Sequence, residues 1–312
     1  METKKLISFI IPVRDRDKSR ITKCVKSLKS DITNEIIIID YGSKIPLSNI
    51  PGARIIRYNK NKIWNKAHAI NLGIREANGE YIGTVDCDMI IQPNFIEATK
   101  LYLNKKSFIY SINVRRIQPS KVSSDFKSML KNSDTWLKED ERKSLVHNAN
   151  GGVQIYPRDW IYNIGGVDEA LIYWGAVDND TFERAIVSGM SMINLNKVIF
   201  HQEHKNKKEQ NLPENERHLA LRIRIEKIKY LDEMFKSKKY VRNNNRWGHK
   251  VPNQKKFLKL KVLAENKRKM ADKKAERYKN KFIKAVSNKA KSFIFNGEKV
   301  NIFTDNRKDV KK

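Results

Sequence analysis

Two carboxylates follow directly after an apolar run. The stretch EYIGTVDCDMI covers residues 80–90, and Asp86 and Asp88 stand near its end with Cys87 between them. One interpretation is structural, a capped turn, because Asp is a favoured turn residue. The other is chemical, a site for a hard cation such as Mg²⁺ or Mn²⁺ that bridges to a diphosphate. An Asp-x-Asp sequence alone is common by chance, but its position after a buried strand favours the chemical interpretation.

A histidine stands near the end of a second apolar run. The stretch VIFHQEH at residues 198–204 places His201 there, and imidazole is a ligand that suits Mn²⁺ or Zn²⁺. A surface histidine in a polar turn is the alternative interpretation. A zinc site made of Cys87, His201 and His204 is a further one, although the chain lacks the paired-cysteine spacing of strong zinc motifs. The sequence leaves these possibilities open.

Acidic and aromatic residues share a third stretch, WGAVDND at residues 174–180. Asp178 has the chemistry of a general base, and Trp174 offers an aromatic face on which a sugar could stack. The alternative is helix capping, since Asp178 and Asp180 precede the predicted helix TFERAIV. Both interpretations are compatible with the same fold.

The elements that must position these residues alternate in type along the first hundred residues. Runs of β-branched apolar residues predict buried strands, and apolar residues at helical spacing predict helices. The predicted strands are 6–13, 35–40, 53–58 and 80–86, and the predicted helices are 17–30, 65–79 and 93–104. This order predicts a mostly parallel α/β sheet with helices on both faces. Ligands bind beyond the carboxyl ends of such strands, where Asp40 and Asp86 both stand.

Net charge, cysteine count and the length of apolar runs limit which classes of protein the chain can belong to. The net charge is +29, and residues 201–312 contribute +21 of it, with 34 Lys and Arg against 13 Asp and Glu. Such an excess predicts an anionic partner. Two cysteines exclude a disulfide scaffold, and no apolar run reaches the roughly 20 residues of a membrane span. We therefore expect a protein of the cytoplasm, or one peripheral on the inner face of a membrane.

The composition of the chain becomes strongly basic after His204. We expect two domains, a catalytic one at 1–204 and a basic, Lys-rich, mainly helical one at 205–312. Within the second, apolar residues at helical spacing predict a helix over 213–235, and 242–254 resembles a linker. An Asn-Gly pair between apolar runs predicts a hairpin near residue 296.

Five motifs occur in a fixed order, and together they resemble a known family. They are FIIPVRDRD, IIIIDYGS, WNKAHAINLGIREANGEYIGTVDCDMI, IGGVDEALIYWGAVDND and VIFHQEH. The chain resembles glycosyltransferase family 2, of the chondroitin-polymerase type, among nucleotide-sugar glycosyltransferases of the GT-A fold. Asn65-Lys66-Ala67, Asn71-x-Gly73 and Trp-Gly-x-x-Asp are also similar to motifs of β-1,4-galactosyltransferases. The resemblance covers about residues 6–204.

The resemblance implies which residues contact the donor. Pro12, Val13 and Arg14 would border the nucleotide, and Asp40 would contact uracil. The residues implied to flank the diphosphate and sugar are Lys66 and Asn71.

The resemblance also implies a metal site and a base. Asp86 would lie beside the ribose and the metal, Asp88 and His201 would bind Mn²⁺ or Mg²⁺ directly, and Asp178 would be the catalytic base. Two positions depart from the family pattern. Tyr41 stands where a second Asp is usual, and Val177 stands where a Glu is usual, so we expect a donor other than the common hexosamines.

These observations predict a metal-dependent, inverting transfer from a UDP-sugar to an acceptor hydroxyl. The basic region, 205–312, favours an acidic or surface glycan as acceptor, and hence a role in polysaccharide biosynthesis. Modified bases of viral DNA are an alternative acceptor, since phosphates attract Lys-rich helices without sequence demands. A non-catalytic protein that binds sugar nucleotides or polyanions on a degenerate fold is an alternative of another class. A nucleotidyltransferase is disfavoured, because no Gly-rich loop follows the first strand.

Overall fold

A computed structural model gives the structure of the protein. It describes residues 6–60, 63–118, 120–122, 126, 152–173, 175–195, 197–203, 214–243 and 246–249, and parts of 259–301. Trp174 and His204 lie outside these residues. Contacts divide the chain into two compact units, Met1–Leu260 and Lys261–Lys312.

The first unit alternates strands and helices. In chain order the elements are β1 (Ile7–Val13), α1 (Lys18–Ser27), β2 (Thr33–Asp40), β3 (Arg54–Arg57), α2 (Lys66–Glu76), β4 (Tyr81–Val85), β5 (Met89–Ile91), α3 (Pro93–Tyr102), β6 (Ser107–Tyr110), β7 (Val114–Ile117), β8 (Val153–Pro157), α4 (Arg158–Asn163), α5 (Val177–Val187), β9 (Ser191–Asn194), β10 (Ile199–Gln202) and α6 (Glu214–Lys236). All strands and helices predicted for the first hundred residues are present.

Among the described residues the main sheet has seven strands in the order β3-β2-β1-β4-β8-β6-β9. Strands β1 to β4 are parallel to one another, β8 runs antiparallel between β4 and β6, and β9 is parallel to β6. The predicted mostly parallel sheet is therefore confirmed. Its carboxyl edge collects the ends of β1, β2 and β4, which is where a ligand is expected.

Alternate residues of β1 pack against two different cores, as side chains of a strand point to opposite faces. Ile7, Phe9 and Ile11 belong to the core that contains Val25 of α1. Ile10 belongs to the core on the other face, which contains residues of α2. There a Cβ at Gly73 would collide with the side chain of Ile10, so the glycine lets α2 pack close to β1.

A small sheet of three strands, in the order β5-β10-β7, connects distant parts of the chain. Strand β10 is antiparallel to β5 and pairs His201 with Met89. On its other side β10 is parallel to β7. This pairing brings residues near 200 beside the turn that follows β4, although more than a hundred residues separate them in sequence.

The helix expected over 213–235 is present as α6, but the linker expected at 242–254 is wrong for its described residues. Arg242, Asn243 and Trp247 are buried. The physical reason is charge, because Asp168 and Asp180 are buried and Arg242 provides a cation to both. The first compact unit extends to Leu260. The domain boundary expected after residue 204 stays a prediction.

The second unit contains helical residues at 262–263, 265–267, 269–270 and 272–277. It also contains β11 (Ser292–Phe295) and β12 (Glu298–Asn301), which pair antiparallel. The hairpin expected from the Asn-Gly pair is confirmed by this pairing. Among the described residues, no helix has both the length and the apolar character required to cross a bilayer.

Candidate active site

The turn after β4 carries the two carboxylates that open the sequence analysis. Strand β4 ends at Val85, Met89 begins β5, and its amide donates a hydrogen bond to the carbonyl of Asp86 at 3.0 Å. The amide of Gln202 in β10 donates to the carbonyl of Asp88 at 2.8 Å. These two hydrogen bonds hold the backbone of the turn in place and so position the Cα atom of Asp88.

The structure brings Asp88 and His201 together. Asp88 Oδ2 lies 3.6 Å from His201 Nε2, and the two side chains are 9% and 27% exposed. Two metal–ligand bonds of about 2.1 Å each reach across roughly 4.2 Å, so both atoms could bind one ion. A carboxylate oxygen with an imidazole nitrogen suits Mn²⁺. The donor set therefore fits the metal implied by the family resemblance.

The protein residues do not complete a metal site by themselves. Within the described part of the chain, no cluster of three or more His, Cys, Asp and Glu residues could hold an ion. Asp86 faces a lysine, and Cys87 packs in the hydrophobic core. Burial raises the pKa of Cys87 to about 12, so its thiol stays protonated and is a poor ligand. These facts disfavour the zinc hypothesis, whose third residue, His204, lies outside the described residues.

Lys66 sits between two of the predicted acids. It is the first residue of α2, and its ammonium lies 2.6 Å from Asp86 Oδ1 and 3.0 Å from both carboxylate oxygens of Asp178. Burial favours the neutral amine, but Asp178 and Asp86 outweigh it and raise the pKa of Lys66 above its usual value. The lysine is therefore a fixed positive charge at the carboxyl edge of the sheet.

The environment of Asp86 raises the pKa of its carboxyl group. Burial raises its pKa to about 6, Lys66 opposes this shift, and the nearby charges of Asp178 and Asp88 add to it. The side chain is 38% exposed, so solvent screens part of these interactions.

Asp178 and Asp180 share the first turn of α5 but have different surroundings. Asp178 is 21% exposed and faces Lys66. Asp180 is 1% exposed and pairs with Arg184 at 3.2 Å and with Arg242 at 3.3 Å. The capping interpretation is wrong, because the residue before the helix is Ala176, in the left-handed conformation, with no side-chain cap. Of the two acids, Asp178 is the one that an acceptor could reach.

Asp40 is placed at the carboxyl end of β2, as expected, but its carboxylate is fully engaged. It accepts hydrogen bonds from the amides of Ser43 at 3.0 Å and Leu47 at 3.1 Å. Arg57 also donates to it at 2.5 Å. Asp40 thus shapes the loop after β2, and its contact with uracil stays a prediction.

The residues at the end of β1 border the same edge. Pro12 lines a small cleft with Lys66, Ile70, Thr84, Val85, Asp86 and Asp178. Val13 is buried in the core, and its carbonyl accepts a hydrogen bond from the amide of Tyr41 at 2.8 Å. The Arg14 side chain is 19% exposed. The nucleotide contacts expected of these three residues stay a prediction.

Asn71 lies inside the protein rather than at the surface of the cleft. Its amide donates to the carbonyl of Val167 at 2.8 Å and to Glu169 Oε1 at 2.9 Å. Its side-chain oxygen accepts from the amide of Val167 at 2.7 Å. Asn71 would therefore affect the donor indirectly, by holding the loop that contains Val167 and Glu169.

Comparison with known proteins identifies the family. Residues 8–165 match the model of glycosyl transferase family 2, and residues 137–207 match that of the N-terminal domain of galactosyltransferase. The chain belongs to glycosyl transferase family 2. The family resemblance stated from the five motifs is confirmed.

Two relatives are distant in sequence, and the match covers only part of each. The chondroitin synthase of Escherichia coli is 22% identical over 264 residues, and the match covers 72% of this chain and 38% of that protein. The glycosyltransferase GlyG of Streptococcus pneumoniae is 34% identical over 110 residues, 33% of this chain and 36% of that protein. The chain thus spans well under half the length of these relatives.

A solved structure supports the fold. The crystal structure of GalNAc-T7 with UDP, GalNAc and Mn²⁺ is similar with a TM-score of 0.52 at 13% identity, covering 75% of this chain and 50% of that one. Together with the sheet order, this confirms the predicted α/β GT-A fold of the chain.

The sequence did not reveal the buried polar network behind the site. Asp168 and Glu169 are fully buried, and their partners include Arg242 and Asn243. The one signal was an Asp-Glu pair inside the otherwise apolar run at 164–173. Arg242 and Asn243 lie more than seventy residues further along the chain, so no local spacing indicates them.

Proposed function

We propose that the protein transfers a sugar from a UDP-sugar to an acceptor hydroxyl in a single, inverting, metal-dependent displacement. One observation carries the proposal. Asp86 and Asp178 lie on either side of Lys66 at the carboxyl edge of the sheet, and Asp88 lies 3.6 Å from His201 beside them. The solved similar structure holds UDP and Mn²⁺, which is consistent with this chemistry.

Asp88 and His201 are the residues that would hold a divalent ion, Mn²⁺ or Mg²⁺. Such an ion supplies Lewis-acid chemistry that neutralises charge on a departing diphosphate. Among the described residues, Asp88 and His201 are the pair whose side chains lie close enough to hold such an ion. Asp86, on the same turn, would lie beside the ribose.

Lys66 would change partners when a donor binds. Its ammonium pairs with Asp86 and Asp178 at 2.6 and 3.0 Å. A diphosphate carries two or more negative charges and competes for the same cation. Contact between Lys66 and the diphosphate would leave the carboxylate of Asp178 able to accept a proton.

Asp178 would be the general base. Its carboxylate would take the proton of the acceptor hydroxyl as the oxygen attacks the anomeric carbon. The neighbouring position does not supply a second carboxylate, because Val177 packs in the core and is 1% exposed. A contact to the donor sugar or acceptor is thereby missing, which supports a donor other than the common hexosamines.

The remaining donor contacts are those implied by the family motifs. Pro12, Val13 and Arg14 would border the nucleotide, with Asp40 next to the base. Trp174 would stack on a sugar.

The acceptor is proposed to be a polyanion or a glycan at a charged surface. Support comes from the sequence, in which 34 Lys and Arg stand against 13 Asp and Glu over residues 201–312. The same charge suits phosphates, so modified DNA bases are the second candidate acceptor. Binding to acidic polysaccharide, anionic vesicles and duplex DNA, compared at two salt concentrations, separates the candidates.

The test of the proposed base is a pair of Asp-to-Asn variants. The full-length protein is incubated with Mn²⁺ and a panel of UDP-sugars, with GDP-mannose as a control donor, and nucleotide release is measured. Asp178→Asn should lower turnover by roughly 10²–10⁴-fold while UDP still binds. Asp159→Asn makes the same change at an exposed position in the first turn of α4 and should have no effect. Turnover by Asp178→Asn near the wild-type level would assign the base elsewhere.

A further inference from the structure

A segment beyond both family matches contacts the loop next to the active site. We call the described residues 240–243 and 246–248 the C-terminal strap and residues 164–170 the diglycine loop. The family matches end at residues 165 and 207, so the strap lies outside them. Arg242 of the strap donates from its amide to the carbonyl of Ile164 at 2.9 Å. The amide of Gly248, at the other end of the strap, donates to Glu169 Oε1 at 2.7 Å.

Asn243 makes the central contacts between the two segments. Its side-chain amide donates to the carbonyls of Gly165 and Val167, both at 2.8 Å. Its side-chain oxygen accepts from the amide of Glu169 at 3.2 Å. Asn243 is 1% exposed and has a left-handed backbone with φ of 58°. A single side chain therefore satisfies three backbone groups of the diglycine loop.

The two glycines allow the close approach. A Cβ at Gly165 would collide with the carbonyl oxygen of Arg242, and one at Gly166 would lie 2.6 Å from the Trp247 ring. Both glycines have positive φ values, 80° and 69°. The loop and the strap thus fit each other without space for larger side chains.

The diglycine loop is bonded to the helix that carries Lys66. Asn71 of α2 holds both Val167 and Glu169, as described above. Asn65, the residue that caps α2, donates to the carbonyl of Glu169 at 2.9 Å. The loop therefore fixes the start of α2, whose first residue is the lysine.

The loop and the strap are also bonded to the helix that carries Asp178. Arg184 of α5 donates to the carbonyls of Gly166 at 2.8 Å and Ile164 at 2.5 Å. Its Nε donates to the carbonyl of Tyr240 at 2.6 Å. Asp180, in the same turn as Asp178, pairs with Arg242.

We infer that the C-terminal strap positions Lys66 and Asp178 relative to each other, and that Asn243 is a positioning residue for transfer. The two helices that carry these groups meet the strap through one shared loop. A loop freed from Asn243 would let α2 and α5 shift independently, and Asp178 would lose its alignment with the acceptor. The inference rests on the proposed function, because it assigns the consequence to the transfer step.

Asn243→Gly tests this inference in the full-length protein. Glycine accepts a positive φ, so the variant keeps the backbone and removes three hydrogen bonds. We expect kcat for nucleotide release from the best UDP-sugar to fall by about 10–100-fold, as small misplacements of reacting groups do. The affinity for UDP in Mn²⁺ should fall by a smaller factor than kcat, because Asp88 and His201, which would hold the metal and its diphosphate, lie outside α2 and α5. Leu103→Ala, which truncates a buried residue at the end of α3, controls for a general loss of stability.

Each outcome decides between the explanations. Wild-type kcat in Asn243→Gly, or an equal loss in Leu103→Ala at a matched fall in Tm, overturns the positioning role. If Asn243→Gly does not fold, Asn243→Asp replaces it, since Asp also tolerates a positive φ and keeps the oxygen that accepts from the Glu169 amide while it removes the two bonds donated to Gly165 and Val167. Its kcat should fall by a larger factor than its UDP affinity, and an unchanged kcat overturns the inference. Absence of turnover in the wild type would contradict the proposed function itself.

Discussion

Replacing Arg242 with methionine should destabilise the protein far more than the same change at Arg246. Arg242 lies 3.1 Å from Asp168 and 3.3 Å from Asp180, and its side chain is 3% exposed. Arg246, four residues later, is exposed. Methionine keeps most of the apolar stem, so the comparison isolates the guanidinium charge.

The expected loss of unfolding free energy depends on which partners Asp168 and Asp180 keep in the variant. Removing one partner of a buried ion pair costs about 3–5 kcal/mol, because a buried charge is left uncompensated. Asp168 keeps the Tyr230 hydroxyl and Asp180 keeps Arg184, so we expect the lower end, about 3 kcal/mol. For a unit of this size that corresponds to a fall in Tm of about 6–12 °C. Arg246→Met should change the free energy of unfolding by less than about 0.5 kcal/mol.

Urea unfolding, followed by tryptophan fluorescence, measures both variants against the wild type. An effect of Arg242→Met as small as that of Arg246→Met would refute the buried ion network. It would also restore the linker interpretation of this segment.

Three further predictions concern charge. Burial lowers the pKa of His68, which is surrounded by Tyr41, Tyr58, Glu169 and His249. Below about pH 6.5 the unfolded chain therefore takes up a proton at His68 that the folded protein does not. The stability that neutral His68 provides is thus present above that pH, and the fall in Tm from about pH 7.5 to 5.5 should be larger in wild type than in His68→Gln; equal falls would contradict this. Lys66→Met should weaken UDP binding measured by calorimetry, and an unchanged affinity would remove Lys66 from the donor site. Deleting residues 261–312 should leave UDP-sugar hydrolysis intact while salt-sensitive binding to polyanions falls, whereas lost hydrolysis would place part of the donor site in the second unit.

The elements of the fold could be predicted because their signals are local. Apolar β-branched runs gave β1, β2 and β4, and helical spacing gave α1, α2 and α6. The position of Asp86 at the end of β4 followed from the same reasoning. Each of these depends on neighbours within a few residues, which is the range that a sequence pattern reports.

The contacts of the candidate site were accessible only through family resemblance. Asp88 meets His201 because β10 pairs with β5, a contact between strands more than a hundred residues apart. Nothing in the spacing of Asp88 and His201 indicates that pairing. The motifs indicated that Asp88 and His201 lie together because they resemble the motifs of a family in which the two positions bind one metal.

The segment after α6 was misread for a physical reason. Asn, Arg and Gly between residues 242 and 248 are typical of turns and linkers. In the structure Asn243 satisfies backbone groups of the diglycine loop, and Arg242 balances Asp168 and Asp180. A polar side chain can form its hydrogen bonds with buried protein groups or with solvent. Composition alone does not distinguish a buried polar segment from an exposed linker.

The central claim, metal-dependent transfer from a UDP-sugar at Asp88 and His201, is tested most directly by chelation. Nucleotide release from UDP-sugars is measured for the full-length protein in excess EDTA and after addition of Mn²⁺, with Asp88→Ala beside the control Asp159→Ala. The account predicts no release in EDTA, recovery in Mn²⁺, and no recovery for Asp88→Ala at an unchanged Tm. Full activity in EDTA, or Asp88→Ala as active as the control, would contradict it.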